Sequence, residues 1–218
     1  MESINLDRSI ALTINTTDMV WQQSPSAGVH RKKLEREGVE SGLTTSVVKY
    51  ESGTSFSAHN HPCGEEIFVL DGVFEDEHGK FPKGTYFRNP PGSFHSPKSP
   101  QGCELFVKLN QFQQGDSAAV KIETEQQVWL PGLIDGLSVM PLHSFGTEHT
   151  ALVRWQPGTH FQPHVHAGGE EIFVVEGVFE DEYGTYPKGT WLRSPNYSKH
   201  NPFSEVGCTI LVKTGYML

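Results

Sequence analysis

Short stretches along the chain alternate apolar with polar side chains at a period of two, the signature of strands with one buried face. Cys103, Leu105 and Val107 alternate with Glu104, Phe106 and Lys108, and Cys208, Ile210 and Val212 repeat the pattern, so both segments read as half-buried strands. Ser46–Tyr50 alternates and ends in turn residues, and Ile67–Leu70 is a short apolar run. Val73–Glu77, the turn His78-Gly79 and Lys80–Pro82 read as a hairpin. The helix-like segment Arg31–Glu37 has a single apolar residue and no capping signal, so no helix is expected there. Many short strands punctuated by Gly and Pro predict an all-β sandwich or barrel.

The pattern occurs twice. Thr45–Leu109 aligns without a gap to Thr150–Thr214 at an offset of 105, and about half of the aligned positions are identical. Weaker matches precede each copy: Trp21 resembles Trp129, and Gly28-Val29 resembles Gly136-Leu137. A unit near 100 residues is too long for a solenoid repeat and suits a small domain. The division expected is an N-terminal domain over 1–110, a C-terminal domain over 118–218, and a linker over the polar run 111–117.

Composition narrows the function classes. The 218 residues carry 17 Lys and Arg against 26 Asp and Glu, a formal charge of −9. That sign argues against nucleic acid and against an anionic membrane surface as partners. No stretch approaches the length of a membrane span, and the N-terminus, with Glu2 and Asp7, does not read as a signal peptide. Three cysteines are too few for a disulfide framework, which suggests a reducing, cytoplasmic setting. Twenty-two Gly, 14 Pro and 13 Phe fit strands and turns, and histidine is abundant at 11.

The histidines concentrate in the repeat. His59 and His61 are two apart, which on a strand puts both rings on one face. The turn Pro62-Cys63-Gly64 reverses the chain, Glu65 opens the next strand, and His95 follows the Pro90-Pro91-Gly92 turn. Three imidazoles and a carboxylate suit a first-row transition metal. The second copy repeats the set as His164, His166, Glu170 and His200. A lone His-x-His is more often surface or core than a ligand pair. Here four positions stay identical between copies that diverge around them, at Asn60/Val165, Pro62/Ala167 and Phe94/Lys199. One divalent ion per repeat is therefore expected, with Zn, Fe, Mn and Ni all compatible with imidazole.

These strings resemble the cupin superfamily, whose first motif reads G-x5-H-x-H-x3,4-E-x6-G. Gly53, His59, His61, Glu65 and Gly72 fit it, as do Gly158, His164, His166, Glu170 and Gly177. The second motif, G-x5-P-x-G-x2-H-x3-N, is met by Gly84, Pro90, Gly92 and His95, and by Gly189, Pro195 and His200. Tyr197 replaces its glycine in the second copy, and Ser99 and Ser204 replace its closing Asn. The resemblance implies a bicupin: two tandem jelly-roll (double-stranded β-helix) barrels, each with a metal inside. HNHPCGEEIFVLDGVFEDEHG and its duplicate look most like the cupin domain of ChrR-type anti-sigma regulators. Those regulators also carry an N-terminal helical zinc domain that grips the sigma factor. Only His30 and no Cys precede the first motif here, so sigma-factor binding is not expected.

Two functions from different classes follow. One is a regulatory or ligand-sensing metal cupin, with a small molecule at the metal. The other is a non-haem metal-dependent dioxygenase for a small chelating organic substrate, using the two positions that four protein ligands leave open on an octahedral ion. A purely structural zinc role, and pairing into a homodimer, also stand open. Around the ligands, Glu66 and Glu171 should face away from the metal in surface or ion-pair roles. Cys63 reads as an ordinary free thiol, and Cys103 and Cys208 as core. The acidic runs Glu75-Asp76-Glu77 and Glu180-Asp181-Glu182 read as solvated edges. Tyr197 and Lys199 are expected to narrow the second pocket, and His160 reads equally as a cavity or a surface residue.

Overall fold

The structure, a computed structural model, describes residues 3–38 and 42–217. Among them there is no α-helix, only two short 3-10 turns among strands, and no helix long and apolar enough to cross a membrane. The chain forms two compact units. Each is a pair of β-sheets rolled around its own apolar core, the all-β jelly-roll architecture anticipated from the alternating pattern.

In the first unit the main sheet runs Ser3–Ile4, Val29–Glu37, Thr44–Tyr50, Cys103–Leu109, Glu65–Asp76, Thr85–Asn89, Val120–Glu123, antiparallel throughout. The second unit runs Leu130–Pro131, Leu137–Phe145, Glu148–Trp155, Cys208–Thr214, Glu170–Asp181, Thr190–Ser194, Leu12–Asn15, the same order from its second strand on. Leu130–Pro131 is the counterpart of Gln22–Gln23, which also pairs with Val29–Glu37. The final strand of each sheet comes from a distant part of the sequence. Leu12–Asn15 belongs to the second unit, and Val120–Glu123 belongs to the first. The division at 111–117 takes no account of this exchange. Each of the two strands is followed by a 3-10 turn whose threonine anchors the same spot: Thr16 donates to the Gly189 carbonyl at 2.7 Å, and Thr124 to Gly84 at 2.6 Å.

The segment Arg31–Glu37 lies within the strand Val29–Glu37, paired along its length with Thr44–Tyr50. Its charged side chains carry no apolar period, yet Lys32, Glu35 and Arg36 are buried. Cys103–Leu109 departs from the half-buried expectation in the same way, because Phe106 and Lys108 on its second face are also buried. The hairpin forms as anticipated, with Asp76 opposite Gly79 and Val73 opposite Pro82.

The long strand Glu65–Asp76 supplies the first barrel's curvature. Its ladder with Cys103–Leu109 slips by one residue beside Leu105, and Gly72 follows at φ +73°. A Cβ on Gly72 would collide with the Gly102 carbonyl, so only glycine fits this bend. Gly177 repeats the constraint against Gly207. Val69, Phe74, Phe87 and Leu105 fill the first core, and Val174, Phe179, Tyr186 and Ile210 the second.

Candidate metal centres

In each barrel two three-residue strands pair antiparallel and bring the histidines into register. His59 lies opposite His95 on the ladder His59–His61 with Ser93–His95. His164 lies opposite His200 on the duplicate ladder. The two-residue spacing puts His59 and His61 on the same side of their strand, and the partner strand delivers the third ring. The ring centroids form near-equilateral triangles, with sides of 4.9, 5.2 and 4.9 Å in the first barrel and 4.5, 4.8 and 5.0 Å in the second.

Glu65 and Glu170 begin the long strands and reach the same centres. Glu65 Oε2 is 3.4 Å from both His61 Nε2 and His95 Nε2. Glu170 lies 3.5 Å from His166 Nε2 and 3.6 Å from His200 Nε2, and those two nitrogens are 3.0 Å apart. Donor atoms bound to one ion at about 2.1 Å stand about 3.0 Å apart at right angles and about 3.4 Å apart at the tetrahedral angle. The three histidines of each repeat thus gather closely enough for a single first-row cation, and each glutamate stands at such a spacing from two of them.

Whether these residues fit a cation is also tested by their hydrogen bonds. The Nε2 atoms of His61 and His95 are buried with no hydrogen-bond partner. Buried ring nitrogens without partners are costly unless something else takes their lone pairs, and a metal ion does. The remote nitrogens are held in place. His95 Nδ1 donates to Asp76 Oδ2 at 3.1 Å, and His59 Nδ1 to the Ser57 carbonyl at 3.0 Å. His200 Nδ1 faces Asp181 Oδ2 at 3.4 Å, and His164 Nδ1 donates to the Gln162 carbonyl at 3.0 Å. These acceptors fix the protons on Nδ1 and turn Nε2 toward the centre, as partners of metal-bound imidazoles do.

The electrostatics fit the same purpose. Burial, more than the neighbouring charges, holds His61 below its ordinary pKa. Burial, with the charges of His164 and His200 adding to it, takes His166 down to about 3, so both rings are neutral near pH 7. Burial pushes Glu170 up to about 7, against the pull of His200. Burial alone would depress His95 and His200, but the hydrogen bonds they donate to Asp76 and Asp181 and the nearby carboxylates raise both. The barrels differ at the carboxylate: Asn89 donates to Glu65 Oε2 at 3.0 Å, and Ser194 occupies that place in the second copy.

Several residues stand elsewhere than the sequence suggested. Asp76 and Asp181, read as solvated edge charges, are buried beneath the third histidine. The strand Glu65–Asp76 runs from the carboxylate beside the histidines to the floor of the site, and its last residue accepts from His95. Glu66 and Glu171 do face away from the centre but are buried: Glu66 lies 3.7 Å from Arg88, and Glu171 accepts from Trp191 Nε1 at 2.9 Å. Tyr197 and Lys199 project outward, Tyr197 at 71% exposure, and do not narrow the second site. The loop takes φ +61° at Tyr197, where the first copy has glycine, and this turns the side chain to solvent. His160 stacks on Phe203 at the surface. Cys63 is exposed, and Cys103 and Cys208 are buried.

The first centre opens on a cavity of about 360 Å³ inside its barrel. Val29, Phe56, Ile67, Phe74, Leu105 and Val107 supply its apolar walls, and His59, His61, Glu65 and His95 lie at one side. This size lies within the range of small-molecule sites.

Two jelly-roll barrels, each gathering three histidines on paired motif strands, define a bicupin. The chain belongs to the ChrR cupin-like domain family, whose model matches residues 10–113 and again 117–218. Among curated proteins, none matches it in sequence. Solved structures share the fold. A protein described as a putative dioxygenase from Nostoc punctiforme superposes with a TM-score of 0.80 at 16% identity, covering 96% of this chain and 83% of that one. YlbA from E. coli gives 0.72 at 14% identity, covering 98% and 94%. A single-residue variant of oxalate decarboxylase from B. subtilis gives 0.65 at 14% identity, covering 93% and 76%. At such identities the likeness establishes the fold and leaves the chemistry to the site.

Proposed function

We propose that this chain is a divalent-metal bicupin of ligand-binding, regulatory type, with one ion in each barrel and a small molecule received at the first. The observation that carries the reading is the pair of buried, partnerless Nε2 atoms of His61 and His95, both 3.4 Å from the Glu65 carboxylate. His59, His61, Glu65 and His95 would hold the first ion, and His164, His166, Glu170 and His200 the second. A bound divalent ion acts as a Lewis acid, gripping and polarising an oxygen donor of the ligand. The protein's own part is orientation of the ligands and shaping of the space beside them. Asp76 and Asp181 keep the third imidazoles aimed, Asn89 steadies Glu65, and apolar residues form much of the first cavity's wall.

The cavity beside the first centre favours a second reading, metal-dependent dioxygenation of a chelating organic substrate. Four protein ligands leave two adjacent positions on an octahedral ion, and the cavity gives a substrate room next to them. Elemental analysis of protein purified without added metal tests the main reading. About two equivalents of a transition metal per chain are expected. A metal-free chain that takes up no Zn, Fe, Mn or Ni on addition would refute it. Oxygen consumption by the iron-loaded chain with a chelating substrate separates the enzyme from the sensor.

A further inference from the structure

Each candidate metal centre stands on a small square of paired backbone. On the ladder of His59–His61 with Ser93–His95, His59 lies opposite His95, and His61 lies opposite Ser93. The duplicate ladder sets His164 opposite His200 and His166 opposite Ser198. Directly opposed residues share a face, and residues two apart on a strand do the same. The other face carries Asn60 and Phe94, or Val165 and Lys199, and all four are exposed. Three corners of each square are therefore imidazoles, and the fourth is a serine. A backbone bond holds that fourth corner beside its histidine: the Gly92 N–H donates to the His61 carbonyl, and the Tyr197 N–H to the His166 carbonyl, each at 2.9 Å.

Two groups at this corner are unmatched in both barrels. The Oγ atoms of Ser93 and Ser198 are buried with no hydrogen-bond partner. A buried hydroxyl in that state is costly, and alanine in its place would avoid the cost. On the histidine side, two of the three imidazoles in each barrel have an acceptor at Nδ1: the Ser57 carbonyl and Asp76 in the first, the Gln162 carbonyl and Asp181 in the second. Among the described residues, no hydrogen bond holds Nδ1 of the remaining pair, His61 and His166. The histidine without an Nδ1 partner thus lies directly opposite the hydroxyl without a partner, twice. The loop around the serine has otherwise diverged. Pro91, Gly92 and Phe94 are replaced by Asn196, Tyr197 and Lys199, while the serine and the histidine two residues on stay the same.

We propose that Ser93 and Ser198 are positioning residues: with an ion in the barrel, their hydroxyls turn to accept from Nδ1–H of His61 and His166. The inference rests on the metal reading of both sites and adds the group that orients the remaining histidine of each. A metal-bound imidazole almost always donates its other ring N–H, and the acceptor fixes the tautomer and the ring's direction. A serine hydroxyl swings to such an N–H by rotation about χ1 alone and has lone pairs to receive it. It is a neutral acceptor, so its contribution should be smaller than that of the Asp76 and Asp181 carboxylates.

Zinc competition against a chromogenic chelator tests this in the full chain, with the other barrel disabled by His166→Ala or His61→Ala. Ser93→Ala and Ser198→Ala should each weaken zinc about three- to tenfold, the low end of what such partners contribute. Ser93→Thr and Ser198→Thr, which keep the hydroxyl on a side chain that suits a strand, should restore most of the loss. Thermal midpoints of the metal-free variants control for folding. A second readout is one that packing alone would not move. Proton magnetic resonance of the cobalt-loaded first barrel should show three metal-shifted, exchangeable imidazole N–H signals, one per histidine. Ser93→Ala should displace or broaden one of them and leave the other two in place. Zinc affinity within twofold of the parent in both alanine variants, or three unmoved N–H signals in Ser93→Ala, would overturn the proposal. The two failures are distinct. A parent chain that takes up no metal overturns the metal reading and this inference with it, whereas a parent that binds metal no better than its alanine variants overturns this inference alone.

Discussion

Replacing Asp76 with asparagine should weaken metal binding in the first barrel without touching a ligand atom. The Asp76 side chain is 1% exposed; its Oδ2 accepts from His95 Nδ1 at 3.1 Å and its Oδ1 from the His78 backbone N–H at 2.7 Å. Burial opposes its charge, but these two hydrogen bonds outweigh burial and hold its pKa below the ordinary carboxylate value. Asparagine has a single acceptor oxygen for two donors, so one N–H would face an NH₂ group, and the charge that favours the Nδ1–H tautomer is gone. Loss of such a partner typically costs 10- to 100-fold in metal affinity, about 1.4–2.7 kcal/mol. Asp76→Asn should fall in the upper half of that range. Asp181→Asn should lie nearer tenfold: its bond to His200 is longer at 3.4 Å, and Tyr186 Oη already donates to it at 2.7 Å. The assay is competition for zinc against a chromogenic chelator, with each variant made in a chain whose other barrel is disabled by His166→Ala or His61→Ala. Thermal midpoints of the chelated proteins control for folding. Affinities within twofold of the parent for both variants would refute the argument that these aspartates aim the imidazoles.

Gly72→Ala and Gly177→Ala should each destabilise their barrel by about 3 kcal/mol or more, read by chemical denaturation, because the added Cβ meets a carbonyl at a left-handed φ. Trp191→Phe should cost about 1–3 kcal/mol by the same measure, since it leaves the buried Glu171 without its indole donor. Burial pushes the thiols of Cys103 and Cys208 up to about 11, from an ordinary value near 9. A folded pKa above the unfolded one gives stability that is complete below about pH 9 and lost as pH rises toward 11. The chain should therefore weaken over that window, and Cys103→Ala with Cys208→Ala should flatten the slope. At pH 8 a thiol reagent should label the exposed Cys63 alone until the chain unfolds.

Much of the architecture was legible because the chain contains its own comparison. Two copies that diverge at Asn60/Val165 and Phe94/Lys199 but agree at three histidines and a glutamate set the candidate ligands apart from the background. The period-two alternation located the strands that carry them. What stayed hidden depends on contacts across the sheet. Asp76 sits in an acidic run beside a hairpin turn, and nothing local says that His95, 19 residues on, folds down onto it. Charge density on Val29–Glu37 carries no strand period, because the sheet buries Glu35 and Arg36 on its opposite faces among polar partners. Leu12–Asn15 and Val120–Glu123 are too short and too mixed to reveal that each completes a sheet built mostly from the distant half of the sequence. The outward turn of Tyr197 follows from one backbone angle at a position where glycine is the family's usual residue.

Anomalous X-ray scattering from crystals of the metal-loaded chain, recorded on both sides of the bound metal's absorption edge, tests the central claim most directly. The account predicts one peak in each barrel, about 2.0–2.3 Å from three histidine nitrogens and one glutamate oxygen: His59, His61, His95 and Glu65 in the first, and His164, His166, His200 and Glu170 in the second. Peaks confined to surface histidines such as His160, or barrels without a peak at full metal loading, would contradict it.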